Sequence, residues 1–189
     1  MNTTPTAAVL VEYSDSLKQS LQDFVKQENK KVTPELFSII ENVAKTGATC
    51  YPWELLKELL YFKLNEIFDI FKQSYIEQQQ NQSYSPQSPS SNVNNNNKDK
   101  DEEMTKIKNQ MNTSTLLQMQ QQFLDTFMEF KEPPFTIQRL CELILDYKLY
   151  TSFSKYLCAV EKMANVTSTL PPLSTPDEVA EYNKNIWKN

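Results

Sequence analysis

A chain of 189 residues is long enough for one domain with a real core and too short for two comfortable ones. It has no histidine and a single glycine, which excludes a Ser-His-Asp triad, a Cys-His pair, a His-ligated metal and the glycine-rich loops that cradle phosphates or dinucleotides. The formal charge of −5 leaves no electrostatic footprint for nucleic acid.

The N-terminus offers only a short apolar run, Ala7 to Val11, with no basic residue before it. It does not read as a signal peptide, and no later run is long enough to span a bilayer. Leu17, Leu21, Phe24 and Val25 then follow Ser14 and Asp15 at helical spacing, predicting a helix that ends near Glu28. In Thr33-Pro34-Glu35 a cap, a proline at the first helical position and an acid in the first turn start the next one. Its apolar stripe is Leu36, Phe37, Ile40, Val43 and Ala44. Gly47 closes it as the one residue that takes positive φ without a Cβ penalty.

A third helix is predicted from Pro52 to about Gln73. Trp53, Leu56, Leu60, Leu64, Ile67 and Phe71 form one line, with Leu55, Leu59, Phe62 and Ile70 beside it. So wide an apolar arc predicts a central helix with several neighbours. Lys63 stands within that arc, so it either snorkels and pairs with Glu66 at i+3 or meets an acidic group on a partner.

From Glu77 to about Asp101 the composition turns to Gln, Asn, Ser and Pro, and the wider span 77–113 reads as a low-complexity insertion. Such a tract buries too little apolar surface to offset its ordering entropy, and a disordered loop is expected. The phase of Met104, Ile107 and Met111 differs from that of Leu116, Met119, Phe123, Phe127 and Phe130. A break near Asn112-Thr113-Ser114 is therefore expected, with a firm helix from there to Phe130.

Pro133-Pro134 ends that helix, and Thr136 is placed to cap another by accepting from a first-turn amide. Ile137, Leu140, Cys141 and Ile144 fall on its inner face, and Gln138, Arg139, Glu142 and Asp146 on the outer one. A loop follows from Tyr147 to Ser152. The last firm helix carries Phe153, Tyr156, Leu157, Val160, Met163 and Ala164 on one face. Residues 167–189 read as an extended polar tail, with room for a short acidic helix at Pro176 to Tyr182. The fold class is all-α: one domain of about six helices over 14–166, interrupted by the insertion.

Cys50, Cys141 and Cys158 form no Cys-x-x-Cys pair, and an odd count suits a reduced compartment, so an intracellular setting is expected, in cytoplasm and nucleus. Asp and Glu lie on polar helix faces where solvation accounts for them. Enzyme chemistry by a carboxylate pair therefore stays a third reading, behind two non-catalytic ones, and neither cofactor nor metal is expected.

Phe135-Thr136-Ile137-Gln138-Arg139-Leu140-Cys141-Glu142-Leu143, followed by Lys155 to Lys162, resembles the signature of regulatory subunit 2 of protein phosphatase 4. Val43-Ala44-Lys45-Thr46-Gly47, Trp53 and Phe62-Lys63-Leu64 stand in the order that family shows, and the resemblance spans about 14–166. The insertion is a departure from the family, whose connection here is shorter, and the family's long acidic C-terminal region has no counterpart in the sequence. The resemblance implies a non-catalytic subunit that binds the phosphatase 4 catalytic subunit, with metals and catalytic His and Asp on that partner and room for a further regulatory subunit. Arg139, with Gln138 and Glu142 beside it, is the expected partner contact on its outward position, the competing account being an intramolecular pair with Glu142 at i+3 or with an acid on a neighbouring helix, and Lys63 is the next candidate. Nucleic acid and membrane are not expected partners. The alternative is a helical scaffold that bridges other proteins without a phosphatase.

Overall fold

Local chemistry sets most of the helix boundaries in the computed structural model, which describes residues 11–82, 98–173 and 175–186. The first helix, α1 (Asp15–Lys26), starts after Ser14. The second, α2 (Pro34–Thr46), starts where Thr33 Oγ1 accepts from the Leu36 amide and ends at Gly47, whose φ is 72°. An added Cβ at Gly47 would lie 2.9 Å from Gln138 Oε1. Gly47→Ala should thus lower stability by about 1–2 kcal/mol, the cost of a left-handed alanine. A thermal melt checks this, and an unchanged melting temperature would show that the turn relaxes freely.

The third helix, α3 (Trp53–Gln82), is followed by α4 (Lys98–Glu129), α5 (Ile137–Leu145), a 3-10 turn (Tyr147–Leu149), α6 (Phe153–Ala164) and α7 (Pro176–Ile186). The described residues therefore contain seven α-helices and no strand, in keeping with the all-α expectation, and the acidic helix near the end is the seventh. At its heart α3 touches α1, α4, α5 and α6, while α2 lies along α5 and α4 along α6. Trp53, Leu56, Leu59, Leu60, Leu64, Ile67 and Phe68 of α3 are buried. Full burial of such a side chain is worth about 1.5–3 kcal/mol, so packing rather than propensity holds this helix.

Several boundaries and contacts differ from the sequence reading. Helix α3 runs on to Gln82 and α4 begins at Lys98, because the Gln, Glu and Lys that flank the tract are adequate helix formers. The rest of the predicted loop, 83–97, lies outside the described residues. The expected break at 112–114 is absent, since α4 is continuous there. A change in the phase of apolar residues turns a helix toward a new face without requiring the backbone to stop. In α2 Ile39 is buried with Leu36, Ile40, Val43 and Ala44, and Phe37 is only partly covered. In α3 Phe68 is fully buried while Ile70 is 44% exposed.

Two non-local devices fix the ends of α4 and α5. Lys57 Nζ donates to the Met128 and Phe130 carbonyls at 3.0 Å each, and Trp53 Nε1 donates to Phe130 at 2.8 Å. These satisfy orphan carbonyls at the C-terminus of α4 and place a cation where the helix dipole favours one. Thr136 does not cap α5 with its side chain as expected. Its hydroxyl donates to the Met163 carbonyl at 2.6 Å instead, joining the start of α5 to the end of α6.

Candidate partner-binding face

Helix α5 buries Ile137, Leu140, Cys141, Leu143 and Ile144, which orients the remaining residues outward as the apolar spacing requires. Arg139 and Glu142 form an i,i+3 ion pair on the exposed side, with side chains 58% and 34% exposed. The Glu142 carboxylate, through that hydrogen bond, raises the Arg139 guanidinium above its ordinary value. Gln138 is half-buried and does different work. Its Nε2 donates to the Ala44 carbonyl at 3.1 Å, and its side chain passes over Gly47. Gln138 thus ties α5 to the end of α2, and the outer surface of the trio is left to Arg139 and Glu142.

Lys63 on α3 is not brought to this trio by its contacts. It pairs with Glu66 at 3.0 Å and its ammonium lies 5.5 Å from the centroid of the Phe37 ring. The intramolecular account of Lys63 is therefore realised in the structure, its apolar stem covered and its charge answered locally.

The sequence reading missed Phe135, which is 51% exposed at the entrance to α5. Its amide donates to the Ser168 carbonyl at 3.0 Å, and the Leu170 amide donates to Pro133 at 2.8 Å, around an isolated antiparallel bridge between Pro134 and Thr169. With Pro133 and Pro134 buried beside it, the backbone carrying Phe135 is fixed. A large apolar ring exposed on fixed backbone, four positions before Arg139, is a candidate for an interface anchor. In the sequence it stood directly after two prolines and opened the run 135–143 that carries the resemblance, but no spacing rule marked its side chain as exposed.

Burial pushes the Cys50 thiol up to about 11 and raises that of Cys141 further, so both stay protonated at neutral pH. Cys158 is exposed. Among the described residues no cluster of Cys, Asp and Glu forms a metal-binding group, and no helix is long and apolar enough to cross a membrane. What α5 presents is a donor fork, a carboxylate and an aromatic ring.

Comparisons with known proteins bear on the family of the chain. A family model described as PPP4R2 matches residues 17–189. Serine/threonine-protein phosphatase 4 regulatory subunit 2 of Dictyostelium discoideum is 64% identical over 193 residues, covering 93% of this chain and 68% of that protein. Regulatory subunit 2-B of Xenopus laevis is 34% identical and the Homo sapiens regulatory subunit 2 is 33% identical, each over 90% of this chain. The chain spans 37% and 35% of the length of those two relatives. No solved structure matches it.

Proposed function

The chain belongs to the family of regulatory subunit 2 of serine/threonine-protein phosphatase 4, and from that premise we propose that it is a non-catalytic regulatory subunit that binds the phosphatase 4 catalytic subunit. The observation that carries this reading is the 64% identity to a protein of that name over 93% of the chain. The composition agrees with it, since a chain without histidine cannot supply the histidine ligands of a phosphatase metal centre and would leave that chemistry to its partner. The regulatory domain is the helical region 14–166, with 77–113 as an insertion and 167–189 as a following segment. Arg139 is its leading contact with the catalytic subunit, supported by Gln138 and Glu142, with Lys63 second. We propose that the complex has room for a further regulatory subunit and that it acts in cytoplasm and nucleus.

A tagged chain mixed with cell extract should recover the phosphatase 4 catalytic subunit, while the purified chain alone should hydrolyse no phosphoester. Repeated recovery of other proteins without any phosphatase would replace this reading with that of a helical scaffold.

A further inference from the structure

The segment after α6 crosses back over the body and is tied to it at three separated places. Residues 168–170 pair with 133–135, where the Phe135 and Leu170 amides donate at 3.0 and 2.8 Å and Thr169 Oγ1 donates to Glu132 at 2.8 Å. The Leu173 amide then donates to the Thr49 carbonyl at 2.7 Å, just beyond the Gly47 turn. Finally Asn183 on α7 takes the backbone of Val11 in both directions. Its Oδ1 accepts from the Val11 amide and its Nδ2 donates to the Val11 carbonyl, each at 2.9 Å.

Against these polar ties stands a short list of apolar contacts. Among the described side chains of the crossover and α7, Val179 joins the buried core, with Leu173 and Tyr182 partly covered. The rest of the core comes from residues 11–164. Ordering a segment of this length costs conformational entropy at every residue, and one buried valine with a few backbone bonds offsets little of it. Such an element opens at low free energy while the core under it stays folded.

We infer that the crossover and α7 form a detachable latch, in which docking of α7 through Asn183 on Val11 holds the crossover against Phe135 and so fixes the entrance of α5. The latch has two states. Docked, the Phe135 amide is bonded and the backbone that carries its exposed ring is held. Released, that amide and the Pro133 and Thr49 carbonyls lose their partners, and the α5 entrance loosens. Any partner that engages Phe135 in the docked geometry biases the equilibrium toward docking, because it binds one state better than the other. That regulatory half rests on the proposed function, whereas the latch itself does not.

Native-state hydrogen exchange on the full chain tests it. The amides of Phe135, Leu170 and Leu173 should exchange as one group, about tenfold or more faster than that of Leu60, buried in the middle of α3. Asn183→Ala should speed all three by about threefold or more and leave Leu60 unchanged, with Asn183→Asp, which keeps only the acceptor, in between. If the three exchange as slowly as Leu60, or if Asn183→Ala moves only Val11, the latch is overturned. In the same samples Asn183→Ala should weaken binding of the purified catalytic subunit by about threefold, roughly 0.7 kcal/mol, and unchanged binding would overturn the regulatory half. A wild-type chain that binds no catalytic subunit would count against the proposed function and against that regulatory half, with the exchange data still deciding the latch.

Discussion

Phe68→Ala should destabilise the chain by about 3–5 kcal/mol, the range for removing a large aromatic side chain from a core. Phe68 is fully buried on α3 and meets three rings edge-on. Phe123 of α4 lies 5.9 Å away between centroids, and Phe153 and Tyr156 of α6 lie at 5.9 and 6.0 Å. One side chain thus joins three helices, and its loss removes both buried area and edge-to-face contacts that each add about 0.5–1.5 kcal/mol. The cavity cannot close from one side, because Phe71 is itself stacked on Tyr156 at 5.0 Å and is held there. Urea unfolding should show a lower midpoint at unchanged slope. With total stabilities of about 5–15 kcal/mol for domains of this kind, the variant retains little margin. Ile70→Ala, two residues along the same helix but 44% exposed, is the control and should stay within about 0.5 kcal/mol. A loss below about 2 kcal/mol at Phe68 would show that α4 and α6 repack, and that α3 is not the centre of the fold.

That pair of residues also shows where sequence reasoning reached its limit. The line from Trp53 through Leu56, Leu60 and Leu64 to Ile67 followed from a period of 3.6 and is buried throughout. Beyond Ile67 the sequence reading continued with Phe71 and Ile70 and left out Phe68, and only the helices that return to pack show that Phe68 is the buried one. Capping was legible where it was local. Thr33 and Gly47 act within their own turns, whereas the Thr136 hydroxyl bonds Met163, 27 positions on, and no local rule points there. On the α5 face the Arg139 and Glu142 pair was readable from spacing alone, because i,i+3 neighbours meet on any helix. The bond from Gln138 to the Ala44 carbonyl was not, since it depends on how closely α2 and α5 approach over a glycine. The crossover was hidden for a related reason. Its ties are three backbone hydrogen bonds and the side-chain bonds of Thr169 and Asn183 to distant partners, none of which leaves a trace in local side-chain pattern, and its composition is that of a polar tail.

Arg139→Glu should weaken binding of the phosphatase 4 catalytic subunit by about tenfold or more, roughly 1.4 kcal/mol, while the melting temperature barely moves. The two halves of that expectation come from separate facts. The Arg139 side chain is 58% exposed and its ion pair with Glu142 lies within one helix, an arrangement worth about 0.3–0.5 kcal/mol at most. The new carboxylate would repel Glu142 by a similar small amount. Stability therefore has little to lose. Binding has more at stake, because a guanidinium is a planar, always-charged fork that suits a carboxylate across an interface, and the pair with Glu142 is weak enough to be exchanged for one. Phe135 at the entrance of the same helix adds an apolar anchor, the combination from which interface hot spots are built. Gln138 is a poorer choice for this test. Its amide is already committed to Ala44, so its removal would mix a stability loss into the binding signal. Binding by surface plasmon resonance alongside a thermal melt separates the outcomes. A variant that melts early would make Arg139 a structural residue, and one that binds as well as wild type would move the contact face elsewhere. Lys63→Glu is then the next variant to measure, its charge being held only by Glu66 and the Phe37 ring.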